Sequence, residues 1–507
     1  MNKKRLSCTR KKSCYLIAFG LLFSNLNANE NGESLVLDLT CGLLGKLRSE
    51  LSSPLLSPSE KEAMGKKQQF AIDFLGASEI NKGTKITKGE KLGEGGFGIV
   101  YAGDADGQNL IVKQELEKEP NTPINAEFIA EFTNADALLN SLIAKLKEKD
   151  PKYATLLGMG AIIPAIGMTK DGSLVQKRVS GLDLKKITLD CNSENRTIFH
   201  PPYDLSGYPN NCQEAIGRAI SFYYGLQTIH GLDRVHCDIK PANVMVANDA
   251  FANYPSLIID LGAMTEIGEE INMYSDNGAP EVIEKMRLIS KNSSEIKKLE
   301  DDYDELLREY NLLYPKPKWY EKVWGLIRRK KPNSANFETQ QKCRNKLHEL
   351  LEQKNALRAK TQTMMFELPP ADPSYDIYSS ASVLPPILFG AAGYRWANSL
   401  YFPDEESDPS QYVQDAQNPD FNAEKYFMES FSKLNRVMQK VTGQSYPQPI
   451  LKRFADLQAR ISDPNPRKRP SAADVIQVLQ GLMFAPYWET VGQPNAPKRK
   501  KYFLDIK

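Results

Sequence analysis

Short apolar runs alternate with polar residues between positions 84 and 116, and this alternation predicts a series of β-strands. The runs are TKITKGEKL, GIVYAGD and NLIVKQEL, and two more, AIIPAIGM and SLVQKRV, follow after residue 160. Between these groups, residues 125–148 carry apolar side chains at helical spacing. The predicted apolar face of this helix consists of Phe128, Ile129, Phe132, Ala135, Leu138, Leu139 and Leu142.

The pattern becomes helical in the second half of the chain. Residues 188–211 are polar and rich in Asn and Pro, which predicts a loop, whereas residues 212–230 and most of residues 375–485 have helical spacing. A β-rich part with one helix followed by a helical part predicts an α+β fold with two lobes and a cleft between them.

Residues 282–371 form a charged, weakly apolar segment with its own periodicity, which predicts an antiparallel helical hairpin. Prolines at 315, 317 and 332 separate the two predicted helices. The apolar seam consists of Ile296, Leu299, Tyr303, Leu306, Tyr310 and Leu313, then Cys343, Leu347, Leu350, Leu357 and Met364.

The first 28 residues are basic and then apolar, a pattern typical of a secretory signal. A cleaved signal, an uncleaved membrane anchor and an unused upstream start codon all remain open. Residues 29–85 contain the amphipathic segment SLVLDLTCGLLGKLRSEL and a Ser/Pro stretch, and we predict a helical extension and linker there. A basic tail is expected over residues 486–507.

The composition of the chain limits which binding partners and which cellular compartment are expected. The 507 residues are 41% hydrophobic and 25% charged, as in ordinary globular proteins. The net charge of +2 gives no electrostatic case for binding nucleic acid. Seven scattered cysteines form no CxxC pair and no zinc-like spacing with the four histidines. This distribution favours a reducing working compartment.

Three glycines in LGEGGFGIV, at positions 93, 95 and 98, form a GxGxxGxV pattern. Strand-like residues follow the last glycine, whereas in a dinucleotide fold a helix would begin there. Glycines between two strands let backbone amides approach phosphates without an intervening Cβ. A glycine-rich hairpin without a ligand is the alternative.

Lys113 lies inside the apolar strand LIVKQEL, where a cation is costly unless it has a partner. Glu131 on the following helix is the expected ion-pair partner, because the buried face continues below it. Glu127, one turn earlier, is the second choice, and a surface lysine without such a partner is the alternative interpretation.

Two further stretches, HCDIKPAN and LIIDLGAM, place polar residues beside apolar strands. Asp238, Asn243 and Asp260 supply the hard oxygen ligands that a nucleotide-bound Mg²⁺ needs in phosphoryl transfer. Asp238 can orient an attacking hydroxyl and accept its proton. A polar turn between a helix and a strand is the alternative.

The order of these motifs resembles that of the eukaryotic-type Ser/Thr protein kinases. Ala279-Pro280-Glu281, Asp376 in YDIYSSASVL and Arg469 in DPNPRKRPSA match further motifs of that family. The resemblance covers about residues 86–485, except for 282–371. It implies a bilobal protein-kinase-like fold, with the N-lobe at 86–180 and the C-lobe at 181–485. The basic, hydrophobic N-terminus and the insertion give a looser resemblance to effector kinases of intracellular bacteria of the Legionella type.

The resemblance implies a role for each matched residue. Lys113, held by Glu131, would contact the α- and β-phosphates of ATP, and Asp238 would be the catalytic base. Lys240 would contact the γ-phosphate, while Asn243 and Asp260 would bind Mg²⁺. His236 would hold the loop to the DLG strand, and Arg469 would pair with Glu281. The residues expected to line the ATP site are Gly93, Gly95, Phe97, Gly98, Val100, Gln176 and Val179.

The chain also departs from the family pattern. Cys237 stands where the family usually has an Arg that binds a phosphate on the activation loop, so we expect activity without phosphorylation of that loop. Ile111 replaces a small residue over the adenine, which implies a tighter nucleotide pocket. DLG replaces DFG, and MYSDNGAPE lacks the usual Thr, which leaves the selection of the substrate hydroxyl open.

The predicted function is transfer of the γ-phosphate of ATP to Ser or Thr of a protein substrate. A pseudokinase scaffold and a small-molecule kinase of the same fold are the alternatives. We expect the working compartment to be a reducing cytosol, with the protein secreted into a host cell or bound to a membrane.

An aromatic face followed by basic residues lies at the tip of the predicted hairpin, within residues 319–331. It suits a membrane interface or an acidic protein partner. The alternative is that this face packs onto the C-lobe. Its members are Trp319, Tyr320, Val323, Trp324 and Ile327, followed by Arg328, Arg329, Lys330 and Lys331.

Overall fold

The structure is a computed structural model of the whole chain, and most of the predicted strands and helices lie in its described part. The described residues are 34–40, 57–58, 61, 83–95, 98–116, 126–146, 159–189, 209, 211–247, 255–271, 278–313, 334–366, 368–401, 415, 418 and 420–485. They belong to two compact units, one made of residues 1–278 and 371–507 and the other of residues 279–370.

An antiparallel sheet forms the first part of the larger unit. Its strands are β1 (Ser34–Thr40), β2 (Lys85–Gly95), β3 (Gly98–Ala105), β4 (Gln108–Glu115), β5 (Ala165–Thr169) and β6 (Leu174–Lys177). The strand order β1-β2-β3-β4-β6-β5 closes on itself as a barrel. The five strands predicted after residue 84 are confirmed, and short turns connect β3 to β4 and β5 to β6, as expected for hairpins.

Strand β1 corrects the prediction of a helical extension over residues 29–85. It pairs antiparallel with β2, where Ser34 lies opposite Thr87, and with β5, where Leu37 lies opposite Thr169. In the segment SLVLDLT, leucines recur at every second position, 35, 37 and 39, which is the period of a strand. The sheet therefore begins well before residue 86, the predicted start of the N-lobe.

Helix α1 (Ala126–Leu146) confirms the helix predicted over residues 125–148. Its predicted apolar face is buried, except that Ile129 is only partly covered. The fully buried members include Leu138, Leu139 and Leu142. The exposed positions of the helix include the polar residues Thr133 and Asn140, as expected for an amphipathic helix.

Short strands and helices follow the sheet. The strands are β7 (Gly181–Asp183), β8 (Arg234–Val235), β9 (Val244–Ala247), β10 (Ser256–Ile258) and β11 (Thr265–Glu266). The helices are α2 (Leu184–Leu189) and α3 (Cys212–Gly231). Strands β10, β9 and β7 form one small sheet, and β11 pairs with β8.

Helices dominate the last part of the larger unit, as predicted. They are α6 (Pro373–Ser380), α7 (Leu384–Tyr401), α8 (Ala423–Thr442), α9 (Gln448–Ile461) and α10 (Ala472–Met483). Phe389 lies at the centre of their aromatic core, with ring centroids 5.1 Å from Phe431, 5.4 Å from Tyr446 and 6.5 Å from Phe454. The fold is therefore α+β, with an antiparallel sheet followed by a helical part.

The smaller unit is the predicted helical hairpin, made of α4 (Pro280–Leu313) and α5 (Ser334–Phe366). Contacts between the helices run in reverse chain order, which makes them antiparallel. Gln340 and Arg344 donate to the Tyr310 hydroxyl, and Arg358 pairs with Glu300. Among the described seam residues, the apolar side chains are half-buried between exposed charged neighbours.

Several predicted features lie outside the described residues: the signal-like segment 1–28, Phe97, the aromatic and basic tip within 319–331, and the tail 486–507. Within the described part of the chain, no helix combines the length and apolar character that crossing a bilayer requires.

Candidate functional site

Lys113 lies on β4 between Val100 of β3 and Leu174 of β6, so its backbone is fixed on both sides. Its side chain is mostly buried, and its Nζ lies 3.0 Å from Oε2 of Glu131 on α1. This contact confirms Glu131 as the ion-pair partner ahead of Glu127. Because α1 packs on the sheet, the helix delivers the carboxylate to the buried cation.

Glu131 is itself only 2% exposed, and both of its carboxylate oxygens have partners. Oε2 accepts from Lys113, and Oε1 accepts from Nε2 of Gln176 on β6 at 2.6 Å. Burial raises the pKa of the Glu131 carboxyl above its ordinary value, although Lys113 and both hydrogen bonds favour the carboxylate.

The pKa of Lys113 is raised as well. Burial alone would lower the pKa of this ammonium, but attraction to Glu131 and to Asp260 outweighs it. The Nζ of Lys113 lies 3.8 Å from Oδ1 of Asp260. Lys113 is therefore a fixed cation at neutral pH, held between two carboxylates from different elements.

Asp238, Lys240 and Asn243 form one hydrogen-bonded group in the loop between β8 and β9. Nζ of Lys240 lies 2.8 Å from Oδ2 of Asp238. The amide nitrogen of Asn243 donates to the Asp238 carbonyl and to the same Oδ2, at 2.8 Å each. The other oxygen of Asp238, Oδ1, is buried and has no hydrogen-bond partner among the described residues.

Asp376, a residue of α6 that is 1% exposed, fixes the loop that carries Asp238. Asp376 accepts from the backbone N–H groups of His236 and Cys237, at 2.7 Å and 2.9 Å. It also lies 2.9 Å from Nε2 of His230. These bonds hold Cys237 at a φ of 64°, a left-handed conformation that is uncommon for a side chain of this kind.

His236 has the structural role predicted for it. Its ring nitrogen Nε2 lies 3.2 Å from the carbonyl of Ile259, the residue immediately before Asp260. The backbone N–H of Ile259 in turn donates to the Asn243 carbonyl. The Asp238 loop and the Asp260 strand are therefore joined at two points.

The environment of the Cys237 thiol disfavours its ionisation. Burial raises its pKa well above the ordinary value, and the carboxylates of Asp376 and Asp238 raise it further. Since the thiolate is the nucleophilic form of cysteine, Cys237 stays a thiol at neutral pH.

The glycine pattern lies where β2 turns into β3, with Gly93 opposite Val100 and Gly95 opposite Gly98. A Cβ added at Gly98 would lie 2.4 Å from the carbonyl oxygen of Gln114 on β4, so this position requires glycine for packing alone. A Cβ at Gly93 would lie 3.1 Å from Nζ of Lys186, which is on α2.

The last two predicted nucleotide contacts have other described neighbours. The Gln176 side chain contacts Glu131, while Gln176 lies opposite Ile111 in the sheet. Val179 is partly buried and packs on Ile163, Ala247 and Leu257. The nucleotide contacts assigned to these residues remain predictions.

Arg469 is anchored mainly through backbone carbonyls. It donates to the carbonyls of Asp463 and Ser374, and its guanidinium lies 4.8 Å from the centroid of the Tyr378 ring. Glu281 belongs to the smaller unit, and its pairing with Arg469 remains a prediction.

Two contacts that amide side chains make at the site were not predicted from the sequence, and both involve helix α1. Gln176 contacts Glu131, and Asn134, also on α1, donates to the carbonyls of Leu261 and Gly262. The signal in the sequence was an amide within an otherwise apolar strand or beside an apolar helix face. Which groups such amides contact depends on the placement of elements far apart in the chain.

Comparison with known proteins assigns no family to this arrangement. A scan against models of protein families found no match, and a search of curated proteins found no relative. The function of the chain therefore has to be inferred from the arrangement of its own side chains.

Proposed function

We propose that this chain is an ATP- and Mg²⁺-dependent Ser/Thr protein kinase with a bilobal protein-kinase-like fold. In this proposal the sheet with α1 is the N-lobe and the helical part is the C-lobe. The observation that carries it is that two polar groups are linked within one unit. These are the Lys113–Glu131–Asp260 group and the Asp238–Lys240–Asn243 group, joined by the bond from Ile259 to Asn243.

Lys113 supplies the fixed positive charge for the nucleotide phosphates in this proposal. Phosphoryl transfer depends mainly on positioning and on neutralising negative charge. Glu131 holds the ammonium in one place, so that little side-chain entropy remains to be lost when phosphate binds. The glycines between β2 and β3 allow backbone amides to approach the same phosphates.

The donor set fits a hard divalent cation such as Mg²⁺. The nitrogen of Asn243 makes both of its bonds to Asp238, which leaves the amide oxygen as the atom for a metal. Asp260 offers a carboxylate that is about one-third exposed. Oxygen ligands of this kind are those Mg²⁺ takes alongside nucleotide phosphates, and the ion would neutralise charge on the β- and γ-phosphates.

Asp238 is the proposed catalytic base. Its Oδ2 is bonded to Lys240 and Asn243, whereas its buried Oδ1 has capacity to accept another hydrogen bond. A substrate hydroxyl at the Asp238 carboxylate would be oriented for attack and could pass its proton to it. Lys240 lies beside this point and would contact the transferred γ-phosphate.

The same residues weigh against the other assignments. A pseudokinase scaffold would need neither of the two linked polar groups. Burying charged side chains costs stability, so charges without a chemical role would be a disadvantage in a scaffold. A small-molecule kinase of this fold remains the closest alternative. Lys240 and the APE motif with Glu281, as family resemblances, favour a protein substrate. Delivery into a host cell is a further part of the proposal, supported by the pattern of residues 1–28.

The test is transfer of labelled phosphate from ATP to generic protein substrates, followed by identification of the phosphorylated amino acid. Lys113→Ala and Asp238→Asn should each lower the rate at least about 10²-fold, whereas Lys452→Ala, at an exposed lysine of α9, should not change it. Wild-type rates in both site variants would refute the proposal. Transfer to small hydroxyl compounds without transfer to protein would favour the small-molecule kinase.

A further inference from the structure

Asn134 connects helix α1 to the turn that follows Asp260. Its amide nitrogen donates to the carbonyl of Leu261 at 2.7 Å and to that of Gly262 at 3.2 Å. Because both partners are carbonyl oxygens, only the NH₂ of the side chain can face them, so the orientation of the amide is fixed by chemistry. One side chain thus bonds two consecutive residues across 127 and 128 positions of sequence.

The backbone also approaches α1 closely at this point. A Cβ built on Gly262 would lie 3.7 Å from the carbonyl oxygen of Glu127 and 4.0 Å from Cβ of Glu131. The turn therefore packs on the same stretch of α1 that carries the partner of Lys113. Leu261 is fully buried, and its carbonyl also accepts from the N–H of Met264.

Asp260 needs such support because of its backbone. Its φ is 63°, in the left-handed region that residues other than glycine seldom adopt. A conformation of this kind persists only where surrounding contacts determine it. The two bonds from Asn134 act on the residues immediately after Asp260 and oppose relaxation of the turn.

We propose that Asn134 is a positioning residue that ties α1 to the Leu261–Gly262 turn, so that Glu131, Lys113 and Asp260 are placed as one unit. The proposal rests on the proposed kinase function for its consequence, namely that Asp260 is held ready to ligate Mg²⁺. In this proposal a side chain of α1, rather than a phosphate on the activation segment, positions Asp260.

Hydrogen exchange of the protein without nucleotide tests the tether directly. Asn134→Ala should speed amide exchange in a fragment covering residues 260–266 by about tenfold, since two hydrogen bonds to this turn are lost. Asn134→Asp, which keeps the shape but replaces the donor with an acceptor, should do the same. Asn140→Ala is the matched control, because Asn140 is exposed on the same helix and bonds only within it.

Unchanged exchange at 260–266 would overturn the tether. An equal increase in a fragment from α9 would overturn it as well, because the effect would then be global. The Mg²⁺ concentration for half-maximal phosphate transfer should rise several-fold in Asn134→Ala, about three- to tenfold, and stay constant in Asn140→Ala. If it stays constant in both, Asn134 does not position Asp260. Absence of transfer by the wild-type protein would refute the kinase function, and the exchange comparison would still decide the tether.

Discussion

At the scale of single residues, the backbone conformation of the site is set by hydrogen bonds rather than by residue type. Cys237 and Asp260 both have positive φ, and neither is glycine. Asp376 fixes the first through backbone N–H groups, and the turn after the second is fixed from α1. Strained residues that are held in this way cluster at functional sites in proteins generally.

In the proposed kinase, phosphorylation of the activation segment should not be needed for activity. Cys237 cannot bind a phosphate as an arginine would, and the hydroxyl of Thr265 is buried and bonded to the Ala263 carbonyl. Tyr274 and Ser275, the other hydroxyl residues named in the prediction, lie outside the described residues. Protein treated with phosphatase, and assayed after its removal, should keep its transfer rate. A large loss restored by rephosphorylation of this segment would contradict the prediction.

At the scale of elements, two features show how short segments stabilise the larger unit. Helix α10 begins with a capping box. The Ser471 hydroxyl accepts from the backbone N–H of Asp474, and the Asp474 carboxylate accepts from the backbone N–H of Ser471. Strand β1 fills the gap between β2 and β5 and leaves the sheet without a free edge there. The capping box can be read from four consecutive residues, whereas the pairing of β1 joins residues that are far apart in the chain.

The capping box predicts a pH-dependent contribution to stability. The bonds from Ser471 lower the pKa of Asp474 below its ordinary value of 3.8. A lowered pKa means that the contribution is present above about pH 4 and is lost as pH falls through the folded-state pKa. Asp474→Asn should lower the free energy of unfolding by about 0.3–1 kcal/mol at neutral pH, the range for an exposed carboxylate near a helix N-terminus, measured by urea titration. The difference from wild type should shrink as the pH falls below about 4, and a difference that is constant with pH would contradict this account.

Strand β1 should be needed for the stability of the sheet. Leu37→Pro removes a backbone donor from a strand paired on both sides and should lower the free energy of unfolding by about 2 kcal/mol or more. Leu37→Val is the matched control, because it keeps the donor and favours a strand. Equal stability of the two variants, by thermal or urea unfolding, would show that the pairing of β1 contributes little.

At the scale of the whole molecule, the chain carries a separate helical unit in addition to the unit with the candidate site. Its two helices contact each other through a half-buried seam and through polar pairs such as Arg358–Glu300. The residues between α4 and α5 include two of the four Trp residues of the protein. A recruiting role for this unit is compatible with the proposed chemistry, because none of the site residues belongs to it.

The tip between the helices should contribute to attachment rather than to catalysis. Trp319→Ala together with Trp324→Ala should weaken binding to anionic lipid vesicles, or to an acidic protein partner, while transfer to a short peptide stays near normal. Leu351→Ala is the control, since Leu351 is an exposed apolar residue on the same hairpin. Unchanged attachment, or unfolding of the double variant, would show that the tip is not a recruiting surface.

The sequence was informative where structure depends on local periodicity or on fixed spacing. Helix α1, the hairpin and the pair Lys113–Glu131 followed from such patterns, because a helix face and its neighbours are set within a few turns. The strand at Ser34–Thr40 did not, since its partners lie in β2 and β5. The same applies to Gln176, whose contact with Glu131 depends on how α1 packs on the sheet.

The closure of the sheet by β1 also has a consequence for synthesis. Leu37 leaves the ribosome about 130 residues before its partner Thr169, and at about 5–20 residues per second this interval lasts roughly 7–26 seconds. Once β2 has also emerged, β1 can pair with β2 but not yet with β5, so one edge of a growing sheet stays open to other chains. Slower translation between these two strands would lengthen this interval and increase aggregation of the nascent protein, although the finished molecule would be identical.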